Sequence, residues 1–414
     1  MMRKLIGSII IAALLPKVAW SCFSAWSRHQ KLSIFSHEFC GVDKKKFTNR
    51  RLMVAYQPLA DIDLWLNYIK GNLDLIGPRA IELSQAIGLD STEQARFKVA
   101  PGILTPFQIK KTAGLAYQEE FLVDAELVKT DSGFRRLQLF VTWILQNGLR
   151  AKRVRLLEPK RFELFGVGID NLSMYKAVET VTDAISKGSG RDGKNGNNVP
   201  AKFAFVNADC ANQYYKNNQY QDALNRFDGV FPDGIGVKIA AKWLGIGVKE
   251  NINGTDMFPL LCSKLNKNTS KVYLLGASTD VISAVVSKLA IEYPDIQLMG
   301  ARNGYFTDAE TGDVCEAINN SQADLLLLAM GAPKQELWME QFANSLNVKA
   351  IMGVGGLFDF YSGSVSRAPI WMRELTLEWL WRLAVQPSSK AKRYLLGNPL
   401  FLFRAARKSQ RLNI

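Results

Sequence analysis

Histidine is almost absent. The 414 residues hold two, His29 and His37, and none follows position 37. No imidazole can serve the main body as base, nucleophile helper or metal ligand, so acid–base chemistry there falls mainly to carboxylates. Cysteine is sparse too: Cys22, Cys40, Cys210, Cys262 and Cys315 are scattered and odd in number, and none lies in C-x-x-C. That excludes a disulfide framework or zinc ribbon and suits a reducing cytosol. No Asp-x-Asp follows residue 161, so neither a metal nor another cofactor is expected.

Acidic residues are missing from 382–414, which carry eight Lys or Arg; residues 1–60 carry ten against Glu38 and Asp43. Each end is therefore +8, and the body is −2 of the net +14. Two basic ends on a neutral body do not describe a nucleic-acid-binding domain. Both ends interleave their charge with apolar residues, Leu5 to Leu15, Trp20, Phe23 and Trp26 in one, Leu395, Leu396 and Leu400 to Phe403 in the other. That combination marks a lipid surface as partner. Pro16-Lys17 interrupts the first run and no A-x-A site follows. This argues against a cleaved signal and for a helix broken at Pro16 that enters and leaves the membrane on one face.

Residues 40–157 read as mainly helical with loops. After Arg161 short apolar runs alternate with amphipathic segments: 203–206, 272–275, 296–299, 325–329 and 350–354 as strands, 279–292 and 334–345 as helices. The expected fold is α/β, a Rossmann-like parallel sheet with helices on both faces, preceded by a membrane-associated, mainly helical region. The expected divisions are 1–36 (membrane helix), 37–157, 161–383 (the α/β domain) and 384–414 (basic amphipathic appendage). The boundary lies in the basic stretch 150–161, and Gly188 to Asn198 is an inserted loop.

Ligands of such sheets sit beyond the carboxyl ends of the strands. There the chain has Asn207-Ala208-Asp209, Pro232-Asp233-Gly234-Ile235-Gly236, Gly331-Ala332-Pro333-Lys334-Gln335-Glu336 and Gly353-Val354-Gly355-Gly356. Asp233, at a turn opening a helix, either faces a cleft as a base or only caps that helix. Gln335 and Glu336 could be ordinary first-turn residues. Leu275-Gly276-Ala277-Ser278 could cradle a diphosphate with its amides, yet no turn completes G-x-G-x-x-G or a Walker A sequence. That disfavours a dinucleotide-dependent oxidoreductase.

With Phe165-Gly166-Val167, Asn253-Gly254-Thr255-Asp256, Gly304-Tyr305-Phe306, Arg367-Ala368-Pro369 and Glu378-Trp379-Leu380-Trp381-Arg382-Leu383, these motifs resemble, in order over about 162–394, the WecG/TagA/CpsF glycosyltransferases. The resemblance implies metal-independent, inverting transfer of a sugar, typically N-acetylmannosamine, from a UDP-sugar to polyprenyl-diphosphate-linked N-acetylglucosamine. It implies a role in cell-surface polysaccharide synthesis at the cytosolic face of the inner membrane. By the same resemblance Asp233 matches the family's proposed base, and Asn207 and Gln335 match site-lining positions. Arg382, Lys392 and Arg393 become candidates for the leaving diphosphate. Gly234, Asn253, Asp256, Gly276, Glu336 and Arg367 complete the expected substrate-binding set. Pro387-Ser388-Ser389 departs from the family pattern of Glu-Pro and arginine, a gap that Lys390, Lys392 or Arg393 could fill. Phe205 stands where some relatives have threonine.

Residues 60–147, through Asn67 to Arg79, Pro101-Gly102-Ile103 and Phe121 to Leu145, resemble the C-terminal part of bacterial sugar transferases acting on polyprenyl phosphate. The Asp-Glu pair those enzymes need is missing between Phe35 and Asp61. The resemblance therefore implies a shortened, inactive relative serving as a membrane platform; a bifunctional enzyme is the alternative. The expected partners are the UDP-sugar, the polyprenyl-linked acceptor and membrane lipid, with self-association left open.

Overall fold

The computed structural model describes residues 2–27, 32–54, 57–58, 62–82, 85–86, 89, 94–113, 123–124, 127–128, 131–148, 156–187, 199–375 and 377–412. The loop expected at Gly188 to Asn198 and the first half of the 150–161 boundary lie outside them. Contacts divide the chain into two units, Met1–Ala151 and Lys152–Ile414.

The N-terminal unit opens with a helix, Met2–Ser27, that contains Pro16. The break expected at that proline is not formed. Of this helix, 22 residues, Arg3–Ser24, are apolar enough to cross a membrane, and at 1.5 Å per residue they reach about 33 Å. Leu5, Ile9, Leu15, Trp20 and Phe23 are all exposed. Its first turn is fixed to the rest of the unit: Arg3 bonds Asp74 at 2.6 Å, and Arg136 bonds the other oxygen of Asp74 at 2.5 Å.

The segment that follows opens on strands before its helices begin. Strands β1 (Leu32–Cys40) and β2 (Lys46–Val54) pair antiparallel with Phe39 opposite Phe47, and β3 (Gln57–Pro58) joins them. β-Branched and aromatic residues favour strand in these first two elements, while helices predominate in the described residues beyond them. β4 (Asp74–Ile76) pairs parallel with β5 (Gly102–Leu104). The helices Ile62–Lys70, Pro106–Ala113 and Gly133–Gly148 bury small apolar clusters, one of them Ile76, Ile109, Leu127 and Leu139.

The C-terminal unit begins with a hairpin, β6 (Arg161–Leu164) and β7 (Val167–Asp170). Six parallel strands follow: β8 (Ala201–Val206), β9 (Gly229–Pro232), β10 (Lys271–Gly276), β11 (Gln297–Arg302), β12 (Leu325–Ala329) and β13 (Ala350–Gly353). Their order is β11-β10-β12-β13-β8-β9, a Rossmann-like α/β sheet. Every residue of β8, β9, β12 and β13 is buried, as helices on both faces require. Lys202 can lie in β8 because Glu340 meets its ammonium at 2.8 Å. The helix Thr279–Glu292 has the expected bounds, the other expected helix ends at Phe342, and β11 starts one residue late and runs to Arg302.

The described part of the basic C-terminal segment, 384–412, packs back on the α/β domain. Its helix Asn398–Leu412 packs on the helices Ile235–Trp243 and Ala208–Tyr214. Phe401 and Ala405 are fully buried in the main core, with the Phe401 ring 5.4 Å from that of Phe165. Leu395, Leu396 and Phe403 stay exposed.

Candidate active site

The carboxyl ends of β8, β9, β10, β12 and β13 open into one cavity of about 660 Å³. Its walls come from the turns that leave those strands, from Asn253 to Thr255, and from the C-terminal helices. That volume suits a nucleotide-sized ligand.

Asn207 follows β8 and caps the helix Ala208–Tyr214, its Oδ1 accepting from the backbone N–H of Asp209 (3.0 Å) and Cys210 (3.1 Å). The cap leaves its Nδ2 free to donate to Asp233 Oδ2 at 3.3 Å. Asp233 follows β9, and its own N–H bonds Val206 O at 2.9 Å. Gly234 has φ +90°, a turn no side chain would adopt easily, and this sends the chain into the helix Ile235–Trp243 with Asp233 left facing the cavity. Burial pushes the Asp233 carboxyl above its ordinary range, against the opposing pull of Arg382, the Asn207 amide and Arg393. A carboxylate shifted this way is a stronger proton acceptor than an ordinary one.

Four cations line the same cavity: Lys334, Arg382, Lys390 and Arg393. Arg382 lies 4.4 Å over the Phe360 ring, and Arg393 approaches Asp209 at 3.7 Å. Burial and the neighbouring Arg393 and Arg382 lower the Lys390 ammonium. Asp209, Asp233 and Asp359 share the wall, and Glu378 lies 3.8 Å from Arg382; four cations converging on one cavity nonetheless offer donors to a polyanion. Among the described residues no group of three or more His, Cys, Asp or Glu side chains could hold a metal.

Of the twelve residues expected as catalytic or substrate-binding, Asp233, Asn207, Asn253, Gln335, Arg382 and Arg393 line the cavity. The others do not. Lys392 is exposed, and Lys390, three residues before Arg393, takes its place on the wall. Gly276 serves the sheet, since a Cβ there would lie 2.4 Å from Ala329 O. Asp256 and Arg367 pair with each other, and Asp256 also accepts from Asn253 Nδ2 at 2.6 Å. Glu336 is fully buried behind Gln335. Gly234 shapes the turn beside Asp233 without lining the cavity.

The sequence reading passed over Lys334, Tyr305, Asp359 and Phe360 as site residues, although all four line the cavity. Lys334 and Tyr305 sat inside motifs already noted. Asp359 and Phe360 lie in the helix Leu357–Ser362 that follows the last glycine turn, and that position was their available signal.

The profile of the WecG/TagA/CpsF glycosyl transferase family matches residues 162–413. The chain belongs to this family. Within it, the chain is 35% identical over 189 residues to an N-acetylglucosaminyldiphosphoundecaprenol N-acetyl-beta-D-mannosaminyltransferase of Bacillus subtilis strain 168, covering 46% of this chain and 73% of the relative. The protein of the same name from Staphylococcus aureus strain NCTC 8325 is 27% identical over 252 residues, 61% of this chain and 94% of its own length. The chain is thus a glycosyltransferase, and the matched span contains the whole cavity. Phe205 lines its wall.

Proposed function

We propose that the cavity transfers a sugar, N-acetylmannosamine or a related hexose, from a UDP-sugar to the hydroxyl of a polyprenyl-diphosphate-linked N-acetylglucosamine, with inversion and without a metal. The acceptor and the sugar follow the names of the relatives. The observation that carries the mechanism is that Asp233 and four cations line the same cavity.

The acceptor oxygen attacks the anomeric carbon from the side opposite UDP, and its proton passes to Asp233. The new C–O bond forms as the bond to the β-phosphate oxygen breaks, and that oxygen keeps the electron pair. A single displacement inverts the centre. Arg382, Lys390, Arg393 and Lys334 would receive the charge that develops on the departing diphosphate, the task a divalent ion performs elsewhere. Converting Asp233 to Asn tests the assignment, because it keeps the shape and removes the base.

We further infer that the N-terminal unit is a shortened relative of the polyprenyl-phosphate sugar transferases and holds the enzyme at the cytosolic membrane face. The exposed apolar helix supports this reading, as does the missing Asp-Glu pair. A tethered membrane anchor would raise the effective concentration of lipid-linked acceptor. With UDP-sugar and polyprenyl phosphate alone, the protein should release no UMP; release would favour the bifunctional alternative.

A further inference from the structure

Two glycine turns of the cavity wall, one after β12 and one after β13, are held by a single side chain. Gln335 Oε1 accepts from the N–H of Gly331 at 3.1 Å and from the N–H of Gly355 at 3.0 Å. Its Nε2 donates to Glu336 Oε1 at 2.8 Å. An amide turned end for end has nearly the same shape, yet it would aim an NH₂ group at two N–H donors. The two glycine N–H donors favour this orientation, and the partner on the other side reinforces it, because an ionised carboxylate accepts without donating.

Glu336 is an expensive choice for that task. It is 0% exposed, no cation pairs with it among the described residues, and its Oε2 has no hydrogen-bond partner there. A buried carboxylate in that condition is rarely kept for stability. We propose that Glu336 is a positioning residue: as the carboxylate it locks the Gln335 amide with its carbonyl toward Gly331 and Gly355, so that both turns, and the cavity wall they form, hold one spacing. The proposal rests on the function proposed above only for what the cavity binds.

The titratable groups facing Glu336 are Cys210, on the helix Ala208–Tyr214, and Tyr220, on the helix Asn218–Asn225. Burial, with Glu336 adding to it, pushes the Cys210 thiol up to about 12 and raises the Tyr220 phenol, so both stay neutral near neutral pH. Burial pushes the Glu336 carboxyl itself up to about 7. Once protonated it is a weaker acceptor for the Gln335 Nε2–H, so the amide is held less firmly against both glycine N–H groups. The clamp should therefore be tighter at pH 8 than at pH 6.

Amide hydrogen exchange at Gly331 and Gly355, measured on the full chain without ligand and normalised to unstructured-peptide rates, reads the clamp directly. In the native protein both amides should exchange about fivefold faster at pH 6 than at pH 8, a weakening of about 1 kcal/mol. Glu336→Gln, which mimics the protonated form, should show the faster rate at both pH values. This variant loses an unpaired buried charge, so it should be at least as heat-stable as the native protein at pH 8, which separates the effect from general loosening. A flat native profile between pH 6 and 8, or native-like protection in the variant at pH 8, would overturn the proposal. Exchange needs no donor, so a failure of UDP to bind any form would count against the donor assignment and leave this result standing.

Discussion

The Asn207 amide donates to the Asp233 carboxylate across 3.3 Å while its own oxygen caps the helix beside it. One asparagine thus fixes a helix start and aims a carboxylate, and strands β8 and β9 bring the two together although 26 residues separate them. Asp233→Asn should lower turnover by roughly 10²–10⁴, with UDP affinity within about twofold of native. Because burial raises the native carboxyl, turnover should fall on acidification above the ordinary carboxylate range, as the base fills with protons. Initial rates against pH, with calorimetry for UDP, check both.

The cations divide by the direction they face. Arg382→Ala, Lys390→Ala and Arg393→Ala should each cost roughly 10- to 100-fold in kcat/KM, about 1.5–3 kcal/mol for a charge-assisted hydrogen bond to the diphosphate. Lys392→Ala should stay close to native, since its side chain is exposed and off the wall. Steady-state kinetics on the four variants tests the assignment, and a large loss at Lys392 with none at Lys390 would reverse it.

The C-terminal helix is structural as well as basic. Phe401 is 0% exposed in the main core, so Phe401→Ala should destabilise the C-terminal unit by about 3–5 kcal/mol, read by denaturant titration. Deleting 384–414 should therefore cost folding along with turnover and membrane binding. A truncated protein with an unchanged Tm would show that the helix is dispensable.

Sequence alone made most of the sheet legible. Leu325–Ala329 is a run of apolar residues buried on both faces, and Thr279–Glu292 carries the Ser278 cap that marks its start. Asp233 and Asn207 were legible because they follow strands, where open α/β sheets expose their ligands. Lys390 could not be separated from Lys392, since choosing between them needs the rotation of a helix whose packing Phe401 and Tyr394 decide. β1 and β2 were missed because they belong to a small three-stranded sheet in which Ile34 and Phe35 remain exposed, so a buried alternating face was lacking. Helix Met2–Ser27 continues through Pro16, where the missing N–H and the ring pointed to a break.

Both flanks of that helix are tied to the same folded unit: Arg3 bonds Asp74 before it, and after it the chain returns through β1 to Cys40, whose N–H bonds Ile81 O at 2.8 Å. Cysteines introduced at Met2 and Ser36 should accordingly label from one side of the membrane. Labelling from opposite sides would sink the same-face arrangement.

The central claim is tested most directly by giving the purified full-length protein a panel of UDP-sugars and polyprenyl-diphosphate N-acetylglucosamine under a chelator, and measuring UDP release with the lipid-linked disaccharide. UDP-N-acetylmannosamine or a related UDP-hexose should give one disaccharide of inverted linkage per UDP, and Asp233→Asn should give neither. No transfer from any UDP-sugar, or near-native transfer by the Asp233 variant, would contradict the account.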